Sequence, residues 1–478
     1  MLLAGCSFAP PYARPPLPTP PAYPAEVAPE GGARSATDIG WRDFFQDERL
    51  RVLIEMAMRN NRDLRIAVAR IEEARGQYRI ERADRFPTLE ASASANRSRA
   101  TGLSVTGQGL TAGPVTSNRY DVGVAVPAFE LDFWGRVRNL SEAARSNYLS
   151  TIAAERAFRL SLIRDLATAY LTSRELAERT ELAERTVESR REGVRIAKLR
   201  LDAGVTSALD YRQAETLLTQ AETEVAALRN TRAQTRNFVQ FLVGEPLIEP
   251  ALPPARLLAD QDMVRDISAG LPSALLVNRP DIEAAEESLR AARADVGAAR
   301  AAFLPSISLT GSAGFASDAL DGLFGSDGAT WSFGPAISLP IFDGGRRSGN
   351  LTVARARDDI AVATYERTVQ TAFREVADAL AQRRYLAEQV TAQGRALAAQ
   401  RALADLARAR YLNGVAQYIE VLDAERNLFA AEQAMIQLHS AELQNRVALY
   451  IALGGGQSAE GGVSSAAASP ASGAGVSK

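Results

Sequence analysis

From Arg136 to Arg200 the chain runs 65 residues with no proline and a single glycine, Gly193. As one α-helix this stretch is roughly 100 Å long. A counterpart runs from about Arg346 to Arg410. No ordinary globular core needs helices of that length. In the first run, Leu162, Leu166, Ala169, Ser173, Leu176, Thr180, Ala183, Val187, Arg190, Val194, Ala197 and Leu201 step by four and three. After Gly204, Tyr211, Ala214, Leu218, Ala221, Val225, Leu228, Arg232, Thr235, Val239 and Leu242 form a second ladder of the same kind. Sustained heptads imply coiled-coil packing, and a short turn between the ladders makes an antiparallel hairpin. Many seam positions are alanine or polar, so the helices need a second set of neighbours.

The two long runs belong to a duplication. DLRIAVARIEEARGQYRIERADRFP (Asp63 to Pro87) aligns with DIEAAEESLRAARADVGAARAAFLP (Asp281 to Pro305) at an offset of 218. Asn139-Leu140, Ala143 and Glu155-Arg156 recur as Asn350-Leu351, Ala354 and Glu366-Arg367. RLDAGVTSALDYRQAE (Arg200 to Glu215) recurs as RYLNGVAQYIEVLDAE (Arg410 to Glu425), and Gly244 as Gly454, at an offset of 210. Collinear matches at nearly constant offset identify two copies of one unit. Each copy reads helix, two strands, very long helix, tight turn, long helix. The linker between them, Leu247 to Gln261, is rich in proline.

The strands show as alternation. Leu89, Ala91, Ala93 and Ala95 share one face, and Tyr120, Val122, Val124 and Val126 another. Ile307, Leu309, Gly311, Ala313 and Phe315 go together, as do Trp331, Phe333, Pro335, Ile337 and Leu339. A length near ten residues suits a tilted membrane-spanning strand; alternation alone fits a water-facing sheet equally well. LSVTGQGLTAGPVTSN (Leu103 to Asn118) and ASDALDGLFGSDGAT (Ala316 to Thr330) are expected as hairpin loops. Four strands cannot close a barrel, and open edges are not tolerated in hydrocarbon. If the strands cross a membrane, several chains must pool them.

Composition removes other classes. A single cysteine excludes an intramolecular disulfide framework and a Cys-based metal knuckle, and a single histidine, His439, argues against a His-based metal site or a Ser/His hydrolase. Charge is balanced at 55 basic against 57 acidic residues, which argues against nucleic acid as a partner. No GxxxxGK[ST] loop occurs, so no nucleotide-driven step is expected. An enzyme is remote, no catalytic residue is assigned, and no cofactor or metal is expected.

GLPSALLVNRPDIEAAEESLRAARADVGAARAAFLPSISLTGS (Gly270 to Ser312) resembles the signature of the TolC-like outer-membrane efflux lipoproteins, the outer-membrane factors of tripartite RND-type pumps. FELDFWGRVRN (Phe129 to Asn139) and WSFGPAISLPIFDGGRR (Trp331 to Arg347) are similar to that family's strands running into its long helices. The resemblance implies a mainly α protein with membrane β. Its two-repeat protomer would contribute four strands to a trimeric twelve-stranded β-barrel and two coiled-coil hairpins to a periplasmic α-helical barrel. It implies a passive exit duct, working as a homotrimer with a periplasmic adaptor (membrane fusion) protein and an inner-membrane RND-type transporter, for drugs, other small molecules or metal ions. The same duct serving type I protein secretion is the alternative, and a soluble coiled-coil scaffold a remote one.

Particular residues acquire expected roles. Leu3-Ala4-Gly5-Cys6 looks like a lipobox, with acyl chains on Cys6 anchoring the chain in outer-membrane lipid; two chains are needed for stable anchoring. The short lead before it puts the expected true start upstream. The resemblance makes Gly204, Val205, Thr206, Gly414, Val415 and Ala416 adaptor-docking tips, in turns where glycine supplies positive φ. It makes Asp423, in VLDAERNLF, a gate aspartate and Ile419 a constricting apolar residue, with Tyr418 and Asp210 beside them. A carboxylate ring in a narrow pore favours cations. Glu420 reads as an ordinary solvated acid.

The expected division is a signal-peptide remnant (1–5), a lipidated tether (6–46), a periplasmic helix (47–86), strands one and two (87–135) and hairpin one (136–244). An equatorial linker (245–271) leads to a second periplasmic helix (272–304), strands three and four (305–345), hairpin two (346–453) and a disordered tail (454–478).

Overall fold

The computed structural model describes residues 8–24, 34–106, 109–264, 267–268, 270 and 272–457. Cys6, the tether between residues 25 and 33, and the tail from residue 458 lie outside the described residues. The principal elements are α1 (Glu48–Asn60), α2 (Arg62–Ala83), β1 (Glu90–Thr106), β2 (Gly109–Glu130), α3 (Arg136–Asp202), α4 (Ala208–Val243), α5 (Pro280–Ala301), β3 (Ser306–Ser317), β4 (Ala329–Ser338), α6 (Arg346–Leu412) and α7 (Tyr418–Ala452). The two long helices have 67 residues each. Among the described residues no helix is long and apolar enough to cross a membrane.

The chain forms two compact units. One gathers Arg70–Ile152 and Ala284–Tyr365 with the N-terminal segment through Pro16. Its sheet is antiparallel in the order β1-β2-β3-β4. The register sets Ala93 opposite Val122, Val122 opposite Phe315, and Ala313 opposite Trp331. One face is therefore apolar across all four strands. The other carries Ser94 with Asp121 and Ser312 with Ser332, whose hydroxyls lie 2.7 Å apart. A bulge at Pro127-Ala128 separates Val126 from Phe129, as proline in a strand requires.

Strands turn into long helices by one device used twice. Asp132 Oδ2 accepts from the Arg138 amide at 2.7 Å, and Asp343 accepts from the Gly345 and Arg347 amides at 3.1 and 3.2 Å. Positive φ at Gly135, Gly344 and Gly345 permits the reversals. Trp134 Nε1 donates to the Pro305 carbonyl at 2.8 Å and ties the two copies at the strand bases.

Two expectations about this unit are corrected. The stretch Leu103 to Asn118 is not a loop: β1 and β2 pair from Glu90↔Ala125 out to Thr106↔Gly109. A loop-like composition of serine, threonine and glycine hides a ladder that backbone bonding sustains. The strands have 17 and 22 residues instead of about ten. The tether is docked through Arg14. Arg293 donates to the Ala13 carbonyl at 2.8 Å and Arg300 to the Phe8 carbonyl at 3.1 Å. Tyr12 Oη and Arg14 bond Glu286 at 2.7 and 2.8 Å, and Arg290 lies 4.7 Å over the Tyr12 ring.

Burial alone would raise the Glu286 carboxyl, but bonds from Tyr12 and the Arg14 charge outweigh it and hold it below 4.5. A carboxyl held low adds stability that is complete above its ordinary value and lost as pH falls through the lowered one. Docking of residues 8–14 is therefore expected to be complete at neutral pH and to fail only in acid, as the pH falls through that lowered value. Glu286→Gln should loosen it at neutral pH, by about 1 kcal/mol because the arginines are part exposed, and change little once the wild-type carboxyl is protonated. Hydrogen-exchange protection of the Tyr12 and Ala13 amides reads both effects.

The other unit gathers Leu17–Ala69, Ala153–Glu283 and the chain from Glu366 onward. Its hairpin seam buries Leu176, Ala183 and Val187 of α3 against Ala221, Val225 and Leu228 of α4. The polar ladder members Thr180 and Arg190 are buried too, satisfied by carbonyls of Leu176 and Leu217 at 2.6 and 2.7 Å. Phe44 stacks on Tyr450 at 3.9 Å, and the Tyr450 hydroxyl donates to the Ile39 carbonyl at 2.6 Å. Buried Asp47 caps α1 and accepts from Tyr170 and Gln261 at 2.6 and 2.7 Å.

The helices expected as single pieces over 47–86 and 272–304 are each broken, at Asn61 and Arg279. These are equivalent positions of the duplication. Each break carries the same bond: Asn61 Nδ2 donates to the Leu242 carbonyl at 2.8 Å, and Arg279 to the Ala452 carbonyl at 3.0 Å. Gly244 and Gly454, at φ 81° and 84°, end the return helices there. A Cβ on either would collide with the carbonyl of Asn60 or Asn278.

Candidate gate and hairpin tips

Both hairpin turns close with the same pair of backbone bonds. The Val205 amide donates to the Arg200 carbonyl and Gly204 to Leu201, both at 2.9 Å. In the second hairpin Val415 bonds Arg410 at 3.1 Å and Gly414 bonds Tyr411 at 3.0 Å. This Schellman geometry needs a left-handed residue, supplied by Gly204 at φ 72° and Gly414 at φ 71°. Val205 and Val415 are exposed beyond the turns. Thr206 and Ala416 follow them, half-buried.

The tips differ in their caps. Ser207 and Asp210 form a complete capping box on α4. The Asp210 carboxylate also accepts from Thr206 Oγ1 at 2.6 Å. That bond holds the Asp210 carboxyl below its ordinary range. At the second tip Gln417 makes no side-chain cap, and Glu420 lies 3.7 Å from Arg410. Asp423 is half exposed and pairs with Arg426 at 3.0 Å. Ile419 is partly covered. Asp210 and Asp423 thus have separate partners.

Tyr418 sits between the hairpins. Its ring lies 5.0 Å from that of Tyr411, which hydrogen-bonds Arg200 and carries that guanidinium 5.0 Å over its face. Burial pushes the Tyr418 phenol up to about 12. Arg408 pairs with Glu425 at 2.7 Å, and Arg190 lies 5.5 Å over Phe429. Arg190, Arg200, Arg408, Tyr411, Tyr418 and Glu425 border a cavity of about 340 Å³. Sequence reasoning marked Gly193 only as the single glycine of the long run and gave Arg200 no role. The other available signal was Arg190, the one charged member of the first ladder.

The family model for outer membrane efflux protein matches this chain twice, over residues 53–245 and 271–455, once for each copy of the duplication. The chain belongs to the outer membrane efflux protein family. The solvent efflux pump outer membrane protein SrpC of Pseudomonas putida is 44% identical over 464 residues, 96% of this chain and 97% of that protein. The cation efflux system protein CusC of Escherichia coli K12 is 39% identical over 462 residues, 95% of this chain and 97% of that protein. Among solved structures, the open-state MtrE outer membrane channel of Neisseria gonorrhoeae superposes with a TM-score of 0.86 at 37% identity, covering 96% of this chain and all of that one. A membrane protein from Pseudomonas aeruginosa gives 0.87 at 41% identity, over 94% and 98%.

The fold class that the resemblance implies is therefore that of these efflux channels: long-helix hairpins with a β part. The chain is an outer-membrane efflux channel protein and not an enzyme.

Proposed function

We propose that three copies of this chain form the exit duct of a tripartite efflux pump, passing drugs, other small organic solutes or metal ions outward without a driven step of its own. The observation that carries this reading is the open four-stranded sheet. Its apolar face includes Trp331, Phe333 and Ile337, 81%, 67% and 71% exposed, and its order leaves β1 and β4 as free edges. Such a sheet is unstable in hydrocarbon and needs further copies to close it. Acyl chains on Cys6 hold the chain in the outer membrane, and the docked segment from Phe8 to Arg14 places that anchor. The outermost rungs of β1 and β2 extend beyond the membrane on the cell exterior.

The duplication locates a self-association face. Phe241 is 64% exposed on α4, whereas its equivalent Ile451 on α7 is 8% exposed. Ile80 on α2 is likewise 61% exposed against 6% for Ala298 on α5. The second copy's return path is covered within the chain; the first copy's is left for a neighbouring chain. Phe241→Glu should shift detergent-solubilised protein from trimer toward monomer on sizing.

The gate reading places Asp423, Ile419, Tyr418 and Asp210 at the narrow end of the tube, with Asp210 also fixing the shape of its tip. Gly204, Val205, Thr206, Gly414, Val415 and Ala416 dock a periplasmic adaptor, which links the duct to an inner-membrane RND-type transporter. Exposed valines beside rigid turns support close tip-to-tip approach. The test is dye efflux in the native host. Loss of this chain should raise dye accumulation and its return restore efflux, with the adaptor and transporter co-purifying. Unchanged accumulation, with neither partner recovered, would refute the reading.

A further inference from the structure

We propose that Gly193 is a positioning residue for the gate: its missing side chain opens a notch in α3 that seats the hydroxyl end of Tyr418, and this fit holds the first turns of α7, with Ile419 and Asp423, in the closed position. The inference rests on the gate reading above and adds to it the residue that sets the aperture.

Gly193 is the one glycine in the 67 residues of α3. Glycine is the poorest helix former after proline, so its place in mid-helix needs a packing reason. A Cβ built there meets a single neighbour, the Tyr418 hydroxyl, at 2.8 Å. Real carbon atoms do not approach that closely, so one of the two must move. A phenol cannot fold aside as a flexible chain can. Its ring is flanked by Tyr411, which Arg200 holds in turn. Displacing the hydroxyl therefore displaces the ring and the backbone that carries it. Val421 and Leu422, one turn on, are buried and transmit the shift along α7.

Among the other helical glycines, Gly297 in α5 is as tight, but it faces Asn139 and Ala9 and no gate residue. A Cβ on Gly394 in α6 would lie 3.9 Å from Met435 Cε, and one on Gly349 meets nothing within 4 Å. The duplication supplies an internal control. The equivalent of Gly193 is Leu403, 53% exposed, and the equivalent of Tyr418 is Ala208. Key and notch were built once, between the second hairpin's return helix and the first hairpin's long helix. The aperture is therefore set within each chain.

The test uses the full-length channel in planar bilayers. Gly193→Ala strengthens the helix intrinsically, so folding is not at risk. It should raise closed-state current between about fivefold and a hundredfold, the span expected of one overpacked contact acting on a two-state gate. Gly193→Ala/Tyr418→Phe, which removes the clashing oxygen, should return the current toward the wild-type level. A helix-propensity effect would not be rescued this way. Asp423→Ala, run in parallel, separates the two failures. If it alters current while Gly193→Ala does not, or if the phenylalanine fails to rescue, the notch is overturned and the gate stands. If neither single variant alters current, the gate reading falls and the notch with it.

Discussion

Arg279→Ala should destabilise the protein by about 3 kcal/mol, while Asn61→Ala at the equivalent break should cost about 1–2 kcal/mol. Arg279 is nearly buried. It pairs with Asp281 at 2.7 Å and Glu375 at 2.8 Å, and it donates to the Ala452 carbonyl. Removing it leaves Glu375 and a helix-end carbonyl without that partner, and Asp281 with only the Ile282 amide at 3.0 Å. The carboxylates are about a third exposed (36% and 37%), so water repairs part of the loss and the figure belongs at the low end for a broken ion pair. Asn61 is neutral; its loss frees the Leu242 carbonyl and the Leu64 amide that Asn61 Oδ1 caps. Thermal unfolding of the detergent-solubilised protein should rank the variants in that order. Equal losses would mean that charge at the second break contributes nothing beyond the shared hydrogen bond.

Asp423→Ala should raise single-channel conductance and lower cation preference about fivefold, the change expected for about 1 kcal/mol of lost attraction in a wet pore. The carboxylate is half exposed and its one partner, Arg426, sits on the same helix. It is therefore free to face a lumen in the assembled tube. Asp210→Ala should act differently. Its carboxylate is engaged by Thr206 and by the Ser207 cap, so its removal should loosen the tip before it alters selectivity. Unchanged conductance and selectivity in Asp423→Ala would remove it from the gate.

Much of the architecture was legible because physics repeats. A proline-free run with heptad spacing can only be a long packed helix, and α3 spans Arg136–Asp202. Two collinear copies of one pattern required one structure twice, down to glycines at φ 72° and 71° in the tips. The strand faces read by alternation are the faces that the register assembles. Periodicity fell silent in three places. The outer part of the first hairpin is rich in serine, threonine and glycine, the composition of a loop, so its pairing was hidden. The break at Arg279 did leave a local signal, since the residue before Pro280 is disfavoured in a helix, but Asn61 precedes an arginine and left none. The docked tether and the Gly193 notch are tertiary facts: each joins residues more than 200 positions apart.

The most direct test of the central claim, that one chain is a stave and several make the tube, is the native mass of the detergent-extracted channel. The account predicts particles of three chains, with channel currents in the same fraction. A single chain that stays dissolved without detergent, its β1 and β4 edges protected from hydrogen exchange within the monomer, would contradict it.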